Sequence, residues 1–137
     1  MPMKPEMRLY RRLKDCLRDC HLSRLESRVG LGIPDVLIGF KEGQFVMLEL
    51  KVVSRGKQVR LSPHQIAFHL RHADHGCPTF ILVHHIPRGV VTESMLLLYG
   101  GDQVIELAKL GVDLQPIDQW SWTGAMWEMI RFRLLTA

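Results

Sequence analysis

Cysteine is scarce in this chain: three among 137 residues, an odd number that excludes a complete disulfide framework and fits thiols kept reduced in a cytosolic setting. No uninterrupted apolar run approaches the ~20 residues needed to span a bilayer, and the N-terminal stretch lacks the apolar centre of a secretory signal. A soluble, cytoplasmic protein with no membrane partner is expected. Repeats, low-complexity tracts and interdomain linkers are missing as well, so residues 1–137 read as a single domain. Nor is there a strong charge of one sign. Eighteen Lys and Arg against 14 Asp and Glu leave a formal +4, which suits a polyanionic partner without identifying one. What is plentiful is apolar side chain, 47% of the residues, enough for a compact core without staples.

The most informative stretch runs from Gly30 to Lys51, GLGIPDVLIGFKEGQFVMLELK. Val36 to Phe40 and Phe45 to Val53 are β-branched, aliphatic and aromatic runs, and Lys41-Glu42-Gly43-Gln44 between them has turn composition, which predicts a β-hairpin. A three-residue loop of Lys41, Glu42 and a left-handed Gly43 puts Asp35 opposite Glu49; a four-residue loop puts Val36 there instead. The shorter loop is the preferred reading. Glu49 and Lys51, two apart on a strand, project to one face, and Leu48 and Leu50 to the other, which is expected to be the core.

Two acids brought together in a partly dry site repel, and both stay ionised only with a cation between them. Carboxylate oxygens with positions left for water suit Mg²⁺ or Mn²⁺, which can polarise a phosphodiester and acidify an attacking water. A lysine alongside can orient that water or offset charge growing on the phosphate. Taken singly, each residue has an ordinary explanation: Asp35 as a turn aspartate after Pro34, Glu49 and Lys51 as a solvated strand pair. It is their alignment that favours a site.

Pro34-Asp35, followed after thirteen residues by Glu49-Leu50-Lys51, resembles the signature of the PD-(D/E)XK nucleases. The glycines flanking Pro34-Asp35 and the glutamine of Leu61-Ser62-Pro63-His64-Gln65 resemble the VRR-NUC and Holliday-junction-resolvase-like branch, often carried by phages. The likeness covers roughly residues 24 to 86. It implies a restriction-endonuclease-like α/β domain, with a central mixed sheet of about four strands flanked by helices. It also implies a metal held by Asp35, Glu49 and the carbonyl of Leu50, with Lys51 catalytic and Gln65 at the active site. Glu26 resembles the additional acid that many members carry upstream, with Glu6 as the alternative bearer. The implied activity is Mg²⁺- or Mn²⁺-dependent DNA cleavage, at branched structures more than at a base sequence, in a host cytoplasm if the gene is a phage's. One rival is a non-catalytic nucleic-acid-binding protein that keeps the fold. Another is a small restriction-type endonuclease, for whose recognition elements a chain this short leaves little room.

Elsewhere, Pro5 to Cys20 predicts an amphipathic helix with apolar Tyr10, Leu13, Leu17 and Cys20 and a basic face of Arg8, Arg11, Arg12, Lys14 and Arg18, either phosphate-contacting or merely solvated. Cys16, Cys20 and His21 invite a zinc reading, but cysteines at i and i+4 on such a helix are far more often small buried hydrophobes. His21 to Val29 reads as a short strand or a helix-to-strand transition. Residues 54–60, polar and basic, read as a mobile loop at the rim of the site, with Arg55, Lys57 and Arg60 placed to grip DNA. Ser62, Pro63 and Gln65 form a helix start with a capping box, and the helix should run to about His75 and end at Gly76. Its stripe of Gln65, His69 and His72 is expected to face the site, Gln65 alternating between cap and site. Strands are expected at Thr79 to Ile86, with His84 toward the groove and His85 toward the core, and at Ser94 to Tyr99. A short helix should follow from Asp102 to Leu110, and a tryptophan-rich helix from Gln119 to Leu135 offers a surface for a homodimer.

Overall fold

The computed structural model describes residues 4–25, 32–124 and 127–136 of the chain. The order of elements is α1 (Pro5–Cys16), β1 (His21–Arg24), β2 (Val36–Gly39), β3 (Phe45–Val53), α2 (Pro63–Asp74), β4 (Thr79–His85), β5 (Met95–Gly100), α3 (Val104–Leu110), β6 (Asp118–Ser121) and α4 (Trp127–Thr136), with short 3₁₀ turns between some of them. The strands form one mixed sheet in the order β1-β2-β3-β4-β5-β6. Every neighbouring pair is antiparallel except β3 and β4, which run parallel because α2 carries the chain back between them.

Helices cover both faces, and strand alternation decides which residues go where. Even-numbered positions such as Ile38, Leu48, Leu50, Leu82 and Leu98 pack with Leu9 and Leu13 of α1 and Ile130 and Leu134 of α4. Odd-numbered positions such as Ile81, Val83, Leu97 and Tyr99 pack with Val104 and Leu107 of α3 and, at the margin, Ile66 and Leu70 of α2. The face that carries Glu49 and Lys51 is therefore a second core with a polar gap in it. The expected division into one chemical and one buried face is replaced by a three-layer sandwich.

Six strands form where about four are expected. β1 is the uncertain segment after the first helix, and α1 ends at Cys16 because the chain must turn through Leu17 to Cys20 to enter the sheet. β6 lies inside what reads as the start of the C-terminal helix: Trp120 and Trp122 are compatible with either period, and the free edge of β5 captures the segment, with Trp120 opposite Leu96. The three tryptophans are half-buried and pack on this chain's own core, while the solvent-facing apolar groups of α4 are Met129 and Phe132.

The 54–60 loop is strapped down. The Val112 N–H donates to the Lys57 carbonyl at 2.9 Å, Lys57 Nζ pairs with Asp113 at 3.0 Å, and Val59 is buried. Gly111, at φ +60°, lies so close to the Lys57 carbonyl that a Cβ there would collide with it.

Candidate active site

The site is built on the β2–β3 hairpin. Phe40 N–H donates to Gln44 O and Gly43 N–H to Phe40 O, both at 2.9 Å, and Gly43 takes φ +86°, so the loop is the three-residue form. The ladder runs from Gly39↔Phe45 to Val36↔Leu48, and one step further brings Asp35 level with Glu49. There the ladder stops, because Pro34 has no N–H to continue it. Asp35 Oδ2 takes over by accepting the Leu50 N–H at 2.9 Å, and the Asp35 carbonyl accepts from Leu25 N–H at 2.8 Å. The N–H and C=O of one strand residue point the same way, so the Leu50 carbonyl faces this same edge.

Glu49 is 1% exposed. Burial first, then its hydrogen bond with Asp35 and the Asp35 charge, push its carboxyl well above the usual carboxylate range, against the pull of Lys51. Its Oε1 has no hydrogen-bond partner among the described residues and lies 4.0 Å from His69 Nε2, which also has none. Among the described residues no three or more His, Cys, Asp or Glu side chains cluster as a metal site, Cys16, Cys20 and His21 included. Two carboxylates forced together and a backbone carbonyl on the same edge are a donor set that suits a hard divalent cation completing its shell with water.

Lys51 Nζ donates to Gln65 Oε1 at 3.1 Å. The same oxygen accepts the Ser62 N–H at 3.0 Å, and Ser62 Oγ accepts the Gln65 N–H at 3.1 Å, closing the capping box of α2. One side chain thus caps the helix and restrains the lysine at once; no alternation is needed, since an amide oxygen has two lone pairs. An open groove of about 690 Å³ runs past Lys51, Gln58, Arg60, Ser62 and Gln65.

No family model and no curated protein matches the sequence. Among solved structures, a VRR_NUC domain superposes with a TM-score of 0.50 at 20% identity, covering 76% of this chain and 97% of that one. The fold is that of a VRR_NUC domain. Archaeoglobus fulgidus Hjc, a Holliday junction resolvase from an archaeal hyperthermophile, is a looser match from which no argument follows, with a TM-score of 0.46 and 14% identity over 66% of this chain and 74% of that one.

Within this VRR_NUC fold, Asp35, Glu49, Leu50, Lys51 and Gln65 come together. Glu26 lies outside the described residues. Its alternative, Glu6, is exposed on the first turn of α1, a helix that packs against the opposite sheet face from Lys51. The basic face of α1 is on that far side too. Arg60 lines the groove; Arg55 is exposed on the same loop, and Lys57, exposed as well, pairs with Asp113. His72 stacks on Phe68, ring centroids 4.0 Å apart, instead of joining Gln65. His84 and His85 exchange their expected roles: His84 is buried, stacked on Trp122 and bonded to Ser94 at 2.9 Å, whereas His85 is half-buried on the other face. Two neighbours of the site carry no motif, His69 and Thr79; the i+4 spacing of His69 from Gln65 was the available signal, and its depth came only with the packing of α2 on the sheet.

No helix among the described residues is long and apolar enough to cross a membrane.

Proposed function

We propose that this protein is a metal-dependent endodeoxyribonuclease that hydrolyses phosphodiester bonds, with a preference for branched DNA. The observation that carries the reading is the convergence of Asp35 and Glu49, level with each other across the β2–β3 hairpin, beside a lysine that Gln65 holds in place. Asp35, Glu49 and the Leu50 carbonyl would hold Mg²⁺ or Mn²⁺, which when bound supplies Lewis-acid polarisation of the phosphodiester and an acidified water. Lys51 orients the attacking water or offsets charge on the phosphate, and its bond to Gln65 removes much of the freedom of a four-carbon side chain. Glu26 is assigned the additional acid. Arg60 on the groove, with Arg55 and Lys57 on the same loop, supplies phosphate contacts. The preference for branched structures rests on the sequence resemblance.

Cutting a junction symmetrically takes two sites, so a homodimer is part of the proposal. Met129 and Phe132, 42% and 55% exposed on α4, are better placed for its interface than the tryptophans. Sedimentation at micromolar concentration tests this, and a monomer that still cuts both strands of a junction counts against it.

The deciding assay incubates purified protein with linear, nicked, forked and four-way DNA in Mg²⁺, Mn²⁺ or EDTA. Cleavage that needs the metal, favours the forked or four-way substrates and disappears in Asp35→Ala with DNA binding retained is the expected result. DNA binding without cleavage in any metal would favour the non-catalytic alternative.

A further inference from the structure

His69 sits one helical turn after Gln65, and its side chain is fully buried. Nδ1 lies 2.7 Å from Thr79 Oγ1 at the start of β4, and Nε2 faces Glu49 Oε1 across 4.0 Å. A buried histidine kept only for packing would be adequately served by its bond to Thr79. That role gives no reason for its remaining nitrogen, which has no partner among the described residues, to face the carboxylate oxygen of the site that also has none.

The arrangement is constructed from three separate parts of the chain. α2 brings His69, β4 brings Thr79, and the turn after β5 brings Gly101, where a Cβ would collide with Thr79 Oγ1 and come within 3.2 Å of His69 Nδ1. Glycine at 101 lets the backbone close over the Thr79–His69 bond. A Thr79 hydroxyl that donates to Nδ1 leaves the single proton of the neutral imidazole on Nε2, directed at Glu49, and that tautomer is part of the proposal.

We propose that His69, set by Thr79, is a positioning residue for Glu49: with the cation bound, Oε1 closes the 4.0 Å gap, too long for a hydrogen bond as it stands, onto Nε2–H, leaving the other oxygen to face Asp35 and the cation. The inference rests on the metal-binding reading of Asp35 and Glu49. It extends that reading with a residue that touches neither metal nor DNA, the kind of outer partner that orients a ligand and tunes its affinity.

Titration calorimetry of the full chain with Mn²⁺ alone, without DNA, tests it. His69→Leu should weaken Mn²⁺ binding on the order of 10–100-fold, and His69→Gln, whose amide nitrogen can reach the place of Nε2, should recover most of that loss. Thr79→Val, nearly isosteric, should weaken binding in the same direction by less. Mn²⁺ binding by His69→Leu equal to the parent chain overturns the proposal, as does His69→Gln binding no better than His69→Leu when both melt cooperatively. If His69→Leu does not fold, Thr79→Val decides: weakened binding supports the relay and unchanged binding overturns it. A parent chain that takes up no Mn²⁺ sinks the metal-site reading itself, an outcome distinct from equal binding by parent and variants.

Discussion

Glu49 concentrates the conflict between stability and chemistry at the scale of single residues. Its carboxyl titrates well above 4.5 in the folded chain, so between that value and its raised one the folded state keeps a proton that the unfolded state releases. Stability from this group is present at low pH and lost as pH rises. Glu49→Gln should therefore abolish cleavage and yet stabilise the metal-free protein at pH 8 relative to pH 5. The gain should be on the order of 1–3 kcal/mol, the usual cost of leaving a buried polar group without a partner. Urea denaturation of both proteins in EDTA at the two pH values measures it; a variant less stable than the parent at pH 8 would contradict the strained-acid account. Asp35, Glu49 and Lys51 were legible as a set because strand periodicity and turn chemistry are short-range. How deeply Glu49 is buried was not, because the residues that bury it come from α2, some twenty positions away in the chain.

At the scale of elements, the junction between the Pro34-Asp35 segment and α2 matters most. Gly32 has φ +85°, and a Cβ on it would collide with the backbone carbonyl of His64 in the first turn of α2. Gly32→Ala is predicted to push the segment carrying Asp35 away from the helix carrying Gln65. It should cost on the order of 1–3 kcal/mol and most of the cleavage rate, read from thermal melts and from the junction assay; a variant with full activity would show that the two elements need not touch so closely. The capping box of this helix was readable from Ser62, Pro63 and Gln65, since it is closed within four residues. β6 was not readable. Its four residues have too little periodicity of their own, and their state was chosen by a strand edge over twenty positions away.

For the molecule as a whole, the acid side of its stability is set by two buried histidines on opposite faces of the sheet. His84 is lowered to about 4, first by burial and then by the charges of Arg8 and Arg12, and His69 is lowered to about 4, again first by burial. Both are neutral when folded. As pH falls below 6.5 the unfolded chain takes up protons that the folded one refuses until about 4, so stability falls through that window. Glu49 acts in the opposite sense from 4.5 upward, offsetting one of the two histidines inside that window and acting against stability alone above it. The metal-free protein should be most stable near neutrality and lose up to ~1.4 kcal/mol per pH unit for each proton of difference as it is acidified. His84→Gln should flatten the acid limb; an unchanged limb would remove His84 from the account.

What the amino-acid order determined by itself was everything closed over a few residues: the hairpin with its three-residue loop, the alternation that puts Glu49 and Lys51 on one face, the glutamine cap and the glycine at the end of α2. These follow from backbone sterics and hydrogen bonds between near neighbours, which no distant packing had reason to override. Only the tertiary structure decided that both sheet faces are cores, that the basic α1 covers the side away from Lys51, and that a histidine from α2 meets the carboxylate of β3. Those outcomes depend on which apolar surfaces find each other across the chain, and burial is a property of the assembled layers.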